Sequence, residues 1–221
     1  NSMPHTPLFA SPQFKGKSER GLYGDVIEEI DFNVGRILRH LKELGIDRNT
    51  LVVVTSDNGP WLIKGEHGGS ALPLFEGKMT TFEGGQRVPC VMQWPGKIPA
   101  GSVCDELALS MDLLPTFAQL CGAALPTVQP LDGKNIIDLM TAKAGAKTPH
   151  EYFFYDRTAV RSGDWKYHSK ERFKVKATTR EHQGPTLYNL KEDIGEANNV
   201  IEQHPEIAER LAKALQANPN K

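Results

Sequence analysis

A carboxylate and an amide stand side by side at the end of an apolar run in the first third of the chain. Asp57 and Asn58 follow residues 51–55, whose β-branched side chains predict a strand buried on both faces. Ligand sites in open α/β sheets lie at the carboxyl ends of strands, and oxygen donors suit a hard cation such as Ca²⁺ or Mg²⁺. Residues 57–59 also form a favourable turn sequence, so a metal site and an ordinary turn both fit the pattern.

Two further side chains carry charge suited to an anionic ligand. Lys78 follows Gly77 in a glycine-rich loop and could present a compact positive charge to a tetrahedral oxyanion. The spacing of a nucleotide-binding P-loop is absent. His5 stands between Pro4 and Pro7 and could carry a proton at neutral pH. A solvated lysine and a surface histidine are the alternative interpretations of these two residues.

The composition excludes several classes of protein. The chain has 221 residues and a formal net charge of −1, which argues against a dedicated nucleic-acid binder. No apolar run reaches the ~18 residues that a membrane-spanning helix needs. Cys90, Cys104 and Cys121 lack the context of an activated thiol, and no cysteine–histidine pair has zinc-ligand spacing. His67 receives no functional role.

The elements that must position these side chains follow from periodicity. Apolar residues recur every three or four positions over residues 24–45 and predict an amphipathic helix that ends at Gly45. Residues 60–88 read as a long glycine-rich loop between the strand at 51–55 and a second strand at 88–94. A further helix is expected over residues 107–120, with Asp112 as its N-cap.

The last third of the chain changes character. Short aromatic runs at residues 152–155, 159–161, 165–168 and 187–190 predict strands, and a helix is expected from Pro205. We interpret this part as a small antiparallel sheet with a helix packed on it. The predicted fold is therefore α/β, with a larger domain at residues 1–145 and a smaller β subdomain with a terminal helix at residues 146–221.

Taken in order, these motifs resemble the formylglycine-dependent sulfatases, in particular the arylsulfatase A and N-acetylgalactosamine-6-sulfatase group. The resemblance begins at MPH (residues 3–5), GLYGD (21–25) and TSDNG (55–59). It continues through GKMTTFEGGQRVP (77–89), WPG (94–96), SMDLLPT (110–116), LYNL (187–190) and DIGE (193–196). Each motif is weak alone, but their order and spacing together cover almost the whole chain.

The resemblance implies a partial alkaline-phosphatase-like sandwich, with helices on a mixed sheet, and hydrolysis of aryl or glycan sulfate esters. By position, Asp57 and Asn58 match two of the family's ligands to Ca²⁺ (or Mg²⁺). Lys78 matches the lysine that contacts the sulfate group, and His5 matches the histidine beside the ester oxygen. Members of the family are usually exported, to the periplasm or the extracellular space, or lysosomal, which gives the expected compartment.

One part of the family pattern is missing. The chain contains no Cys/Ser-x-Pro-x-Arg motif, which supplies the formylglycine nucleophile in the family. We therefore expect a C-terminal sulfatase segment that contributes half of the metal and sulfate site and is inactive alone. A non-catalytic module that binds anions or sulfated glycans, or that self-associates through uncovered apolar surface, is one alternative. A phosphatase or phosphodiesterase of the same fold is another.

Overall fold

The computed structural model describes residues 4–169 and 184–218. Met3, the first residue of the MPH motif, lies outside this part of the chain. The helices are α1 (Gly21–Glu43), α2 (Glu83–Gln86), α3 (Leu113–Leu120), α4 (Ile137–Met140) and α5 (Pro205–Gln216). The strands are β1 (Val52–Thr55), β2 (Cys90–Gln93), β3 (Phe153–Tyr155), β4 (Ala159–Ser162), β5 (Trp165–His168) and β6 (Thr186–Asn189).

Helix α1 is the amphipathic helix that the periodicity predicts, and it supports the N-terminal segment. Leu8 and Ala10 pack against Val26 of this helix in a small buried cluster. The carboxylate of Asp25, also on α1, accepts hydrogen bonds from the backbone N–H groups of residues 16, 17 and 18. These bonds lower the pKa of Asp25, so its charged form holds the loop that leads from His5 into the helix.

The two strands near Asp57 form a hairpin-like pair rather than a deeply buried sheet. β1 and β2 are antiparallel, and Thr55 lies opposite Cys90. The expectation that β1 is buried on both faces is wrong, because Val52, Val53 and Val54 are only half-buried. Within the described residues β2 is the one strand paired with β1, so the pair has open edges and β2 is largely exposed.

The C-terminal part forms the small antiparallel sheet with a helix that the sequence predicts. Its strand order is β3-β4-β5-β6, with every neighbouring pair antiparallel. Helix α5 covers this sheet, and its Leu211 packs with Val160 and Leu187, all three fully buried. The α/β class is thus confirmed, and both sheets of the described residues are antiparallel.

Asp112 stands at the start of α3, as predicted, but its carboxylate does not cap that helix. The buried carboxylate instead accepts hydrogen bonds from the backbone N–H groups of Leu109 and Lys134 and from Nε2 of His150 at 2.8 Å. Asp112 is fully buried, and a buried carboxylate needs several donors. Asp112 therefore links three separate segments of the chain instead of capping the N-terminus of one helix.

Several large apolar side chains of the first 120 residues face solvent. They include Ile37 and Leu44 on or beside α1, and Val91 on β2, which is 67% exposed. Such surface is compatible with the predicted self-association, which stays a prediction. In the described part of the chain, no helix has both the length and the apolar character needed to cross a membrane.

The core under α5 yields a first testable expectation. Replacing Leu211 with Ala removes a fully buried side chain and leaves a cavity, so the free energy of unfolding should fall by about 2–5 kcal/mol. Lys213→Ala, on the exposed face of the same helix, should cost no more than about 0.5 kcal/mol. Urea unfolding followed by circular dichroism measures both, and equal losses would contradict the packing described.

Candidate functional site

The turn after β1 carries the two predicted metal ligands. Asp57 is exposed and Asn58 half-buried. The hydroxyl of Ser56 donates a hydrogen bond to the Asn58 carbonyl oxygen at 3.2 Å, and Thr55 donates to the carbonyl of Pro89 at 3.0 Å. The turn is therefore held at the open end of the β1–β2 pair, where a side-chain carboxylate remains accessible to a ligand.

Backbone hydrogen bonds join this turn to the loop that carries Lys78. The N–H of Gly59 donates to the carbonyl of Gly85 at 3.0 Å, and the N–H of Lys78 donates to the carbonyl of Pro60 at 2.8 Å. The turn and the loop thus form one assembly, although Asn58 and Lys78 are 20 positions apart in the sequence. The structure brings the backbones of these two predicted site segments together.

The glycines of this assembly are required by close backbone contact. A Cβ atom at Gly59 would lie 1.8 Å from the carbonyl oxygen of Gly84, and one at Gly77 would lie 2.4 Å from the carbonyl oxygen of Pro60. Glu76 and Met79, on either side of the Gly77–Lys78 pair, both adopt positive φ angles. Strained backbone of this kind persists only where the surroundings enforce it, and it concentrates at functional sites.

Lys78 and His5 meet at a third residue, Trp61. The Nζ atom of Lys78 lies 5.5 Å from the centre of the Trp61 ring, and the His5 ring centre lies 5.9 Å from it. Trp61 directly follows the turn at residues 57–60. The structure therefore places the two predicted substrate-binding side chains beside one aromatic ring, three positions after Asn58 in the sequence.

His5 itself is exposed, and its ring is oriented by its own backbone. Nδ1 lies 2.9 Å from the carbonyl oxygen of Thr6. A carbonyl can only accept, so Nδ1 carries a hydrogen and Nε2 is the atom left to give or take a proton. Leu8 and Ala10, packed on α1, and a hydrogen bond from Ser11 N–H to Glu29 at 2.8 Å hold the segment that follows.

A buried ionic network fixes the Lys78 loop to the C-terminal sheet. Lys166 on β5 is 0% exposed and contacts Glu83 at 2.9 Å and Glu196 at 3.0 Å. Both carboxylates are also buried, and the N–H of Glu83 donates to Glu196 at 2.7 Å. Glu83 begins α2, five residues after Lys78, so this network determines where the loop lies.

Two side chains from β3 and β4 also contact the Glu83 carboxylate. The Tyr155 hydroxyl donates to one Glu83 oxygen at 2.7 Å, and Arg161 approaches the other at 3.4 Å. Burial alone would raise the pKa of Glu83, but Lys166, Tyr155 and Arg161 together hold it below its ordinary value. Burial and the neighbouring Glu83 carboxylate raise the pKa of Tyr155 well above 10. Glu83 is therefore ionised and Tyr155 neutral at pH 7.

His168 extends the network towards the loop. Its Nε2 donates to Glu196 at 3.1 Å, the Thr81 hydroxyl lies 3.5 Å from Nδ1, and Phe82 stacks on the ring with centres 4.5 Å apart. Burial lowers the pKa of His168 below its ordinary 6.5, despite the hydrogen bond to Glu196. The ring is therefore neutral at pH 7, and two carboxylates are balanced by Lys166 and Arg161.

The sequence analysis missed every member of this network. Lys166 lies among aromatic residues in a short strand, where a lysine is ordinarily solvent-facing, and Glu83 lies in a loop. The contacting residues are 83 and 113 positions apart, beyond any local pattern. The one available signal was the alternation of β5, which places Lys166 and His168 on the same face of the strand.

Loss of the Lys166 charge should lower the free energy of unfolding. Lys166→Met leaves two buried carboxylates without their shared cation, so we expect the free energy of unfolding to fall by about 3–5 kcal/mol. Lys213→Met removes an exposed pair with Glu209 and should change it by about 0.5 kcal/mol or less. Urea unfolding of both variants makes the comparison.

A second variant keeps this expectation testable if Lys166→Met does not fold. The triple variant Lys166→Met, Glu83→Gln, Glu196→Gln removes the charges together and should recover part of the loss. A single Lys166→Met variant as stable as Lys213→Met would show that the network does not contribute to stability.

The network should also make stability depend on pH. Below pH 6.5 an unfolded chain protonates His168 whereas the folded chain resists this, so the free energy of unfolding should fall as the pH drops from 6.5. Glu83 adds a loss of the same sign at lower pH, as protons reach its lowered pKa. Urea unfolding between pH 7.5 and 5 should show a shallower slope for His168→Gln than for the unmodified chain. Identical slopes would contradict a neutral, buried His168.

Comparison with family models gives two matches that together extend over nearly the whole chain. A model described as Sulfatase matches residues 2–123. A second, described as N-sulphoglucosamine sulphohydrolase, C-terminal, matches residues 65–221. The first match contains Asp57, Asn58 and Lys78, and both include the loop around Glu83.

The curated proteins that match this chain in sequence include named sulfatases. Arylsulfatase A of Bos taurus is 38% identical over 96% of this chain and 45% of its own length. N-acetylgalactosamine-6-sulfatase of Canis lupus familiaris is 46% identical over 74% of this chain and 32% of its own length. The chain therefore spans less than half the length of each of these two relatives.

Solved structures share the fold. The PsFucS1 sulfatase from Pseudoalteromonas sp. superposes with a TM-score of 0.85 and 29% identity, over 96% of this chain and 45% of its own. Ps i-CgsB in complex with k-i-k-neocarrahexaose superposes with a TM-score of 0.76 and 32% identity, over 97% and 48%. With sequence motifs, family models and fold in agreement, the chain belongs to the sulfatase family and has its alkaline-phosphatase-like fold.

Proposed function

We propose that this chain forms part of a sulfuric ester hydrolase and contributes Lys78, His5, Asp57 and Asn58 to its site. The observation that carries the proposal is the meeting of Lys78 and His5 at the Trp61 ring, directly after the turn that bears Asp57 and Asn58. The family membership supports the reaction class. The substrate is an aryl or glycan sulfate ester, and the compartment is exported or lysosomal.

Each charged group has a role that its position allows. The Lys78 ammonium binds the sulfate oxygens and stabilises the negative charge that grows on them during transfer. With its Nδ1–H donated to the Thr6 carbonyl, a doubly protonated His5 ring gives its Nε2 proton to the ester oxygen of the leaving group and becomes neutral. The constrained backbone on both sides of Lys78 and the buried network at Glu83 hold the loop that carries this lysine.

Asp57 and Asn58 fit part of a hard-cation site. Their oxygens suit Ca²⁺ or Mg²⁺, and the Asp57 side chain is exposed at the end of β1. A bound cation would polarise the sulfate group as a Lewis acid. Among the residues that the structure describes, no three His, Cys, Asp or Glu side chains lie close enough to hold a metal ion. The proposal therefore assigns two ligands to this chain and weak cation binding to the chain alone.

The nucleophile is assigned elsewhere. The sequence has no Cys/Ser-x-Pro-x-Arg motif, so we assign the formylglycine to a part of the enzyme outside these 221 residues. The chain alone is then a binding half-site without turnover. A phosphatase of the same fold is the weaker alternative, because the matching family models and curated relatives are sulfatases. The alternative of a non-catalytic module that binds anions would use the same contact between Lys78 and sulfate. It differs from the proposed function only in that no nucleophile completes the site.

Binding of inorganic sulfate tests the Lys78 assignment. Lys78→Met should weaken sulfate binding to the chain by about tenfold, because the ammonium makes a charge-assisted contact. Lys97→Met, another lysine at the surface, should leave the dissociation constant within about twofold. Titration followed by NMR, with the His5 ring signals as a second reporter, measures both. Equal dissociation constants for the two variants would refute the assignment.

Turnover is a separate measurement. The chain incubated with an aryl sulfate and Ca²⁺ should release no phenol above the uncatalysed background. Release above background that disappears in Lys78→Met would overturn the claim that the nucleophile lies elsewhere, while it would support the site.

A further inference from the structure

Trp61 contacts a second lysine that the proposed reaction does not use. The Nζ atom of Lys64 lies 4.4 Å from the centre of the Trp61 ring, closer than that of Lys78 at 5.5 Å. Both ammonium groups are therefore within cation–π distance of one ring. Lys64 is exposed, on a segment of 3-10 turns at Leu62–His67 that is kinked at Gly65 and follows the turn with the predicted metal ligands.

These two lysines share an aromatic contact, and neither forms an ion pair with a carboxylate in the described part of the chain. Lys143, Lys147 and Lys213 each pair with a carboxylate at 2.6–2.8 Å. No ion pair of the described residues includes Lys64 or Lys78. Each ammonium group lies against the Trp61 ring, so positive charge is presented at two points around one side chain. The surface around Trp61 could therefore bind two negatively charged groups, one at each lysine.

The backbone that presents Lys64 is held firmly. The N–H of Lys64 donates to the carbonyl of Trp61 at 2.9 Å, and the N–H of Gly68 donates to the carbonyl of Gly65 at 2.8 Å. A Cβ atom at Gly68 would lie 2.3 Å from the Trp61 carbonyl oxygen, so the two ends of this segment are packed together. The backbone at Lys64 is therefore ordered before binding, so less conformational entropy is lost when this residue contacts a ligand.

We propose that Lys64, held on Trp61, is a specificity-determining contact for a second negative group on the substrate. This rests on the proposed function, in which Lys78 binds the sulfate that is transferred. The preferred substrate class is then a sulfated sugar that carries a further sulfate or carboxylate group. Trp61 positions both ammonium groups, and the ring of His5, the proposed proton donor, lies 5.9 Å from the same side chain.

Two sugars that differ by one negative group test the proposal on the full chain. The probes are N-acetylglucosamine 6-sulfate, whose nitrogen is neutral, and glucosamine 2-N,6-O-disulfate, with dissociation constants measured by calorimetry. The unmodified chain should bind the disulfate more tightly. Lys64→Met should weaken disulfate binding by about tenfold and leave the monosulfate within about twofold. Lys97→Met serves as the matched control and should change neither.

Substitutions of Trp61 separate positioning from simple charge. Trp61→Phe keeps an aromatic face for the ammonium groups and should retain the preference for the disulfate. Trp61→Leu removes that face and should reduce the preference, with the fold checked by circular dichroism. Equal preferences in Trp61→Leu and the unmodified chain would show that the ring does not position Lys64.

The outcomes distinguish this inference from the function on which it rests. If Lys78→Met leaves the binding of both sugars unchanged, the proposed function fails, whatever Lys64→Met does. If Lys78→Met weakens both sugars but Lys64→Met weakens neither, or weakens both equally, the second contact is refuted and the sulfate site remains. Equal binding of the two sugars by the unmodified chain also overturns the inference.

Discussion

The ammonium group of Lys166 is buried, and the arrangement of the candidate site depends on how that charge is satisfied. A charge without access to water needs opposite charges in good geometry, and Glu83 and Glu196 supply them at 2.9 and 3.0 Å. Glu83 begins the short helix that ends the Lys78 loop, while Lys166 lies in the C-terminal sheet. The ion pairs that one buried ammonium group requires therefore fix the position of a loop that is remote from it in sequence.

Close backbone packing carries this constraint from the network to the site. Gly84 and Gly85 follow Glu83 directly, and their carbonyl groups lie against Gly59 of the turn that bears Asp57 and Asn58. The carbonyl of Pro60 receives the N–H of Lys78. Glycine is needed where these backbones meet, since a side chain would occupy the space of a carbonyl oxygen. The site is built mainly from backbone contact, with the charged side chains projecting from a rigid frame.

The sequence predicts those parts of the protein that depend on local pattern. The three-to-four-residue spacing of α1 and the aromatic strands before α5 appear in the structure close to their expected bounds. Burial of β1 was overestimated because its valines predict two covered faces, whereas cover depends on distant neighbours. Asp112 was expected to cap one helix, but its hydrogen bonds reach Lys134 and His150. Asp57, Asn58, Lys78 and His5 were candidates from local pattern, and the family resemblance supplied their expected roles. The network at Lys166 needed tertiary structure.

The Lys166 network has an evolutionary consequence. Because Lys166, Glu83 and Glu196 lie in three separate segments but share one balance of charge, the effects of mutations at these positions depend on one another. A lineage that loses one of the three charges would lose stability, which a matching change at another could restore in part. Recombination that exchanged the C-terminal sheet between distant relatives would separate the partners. The segment from Glu83 to Glu196 is therefore expected to be inherited as a unit.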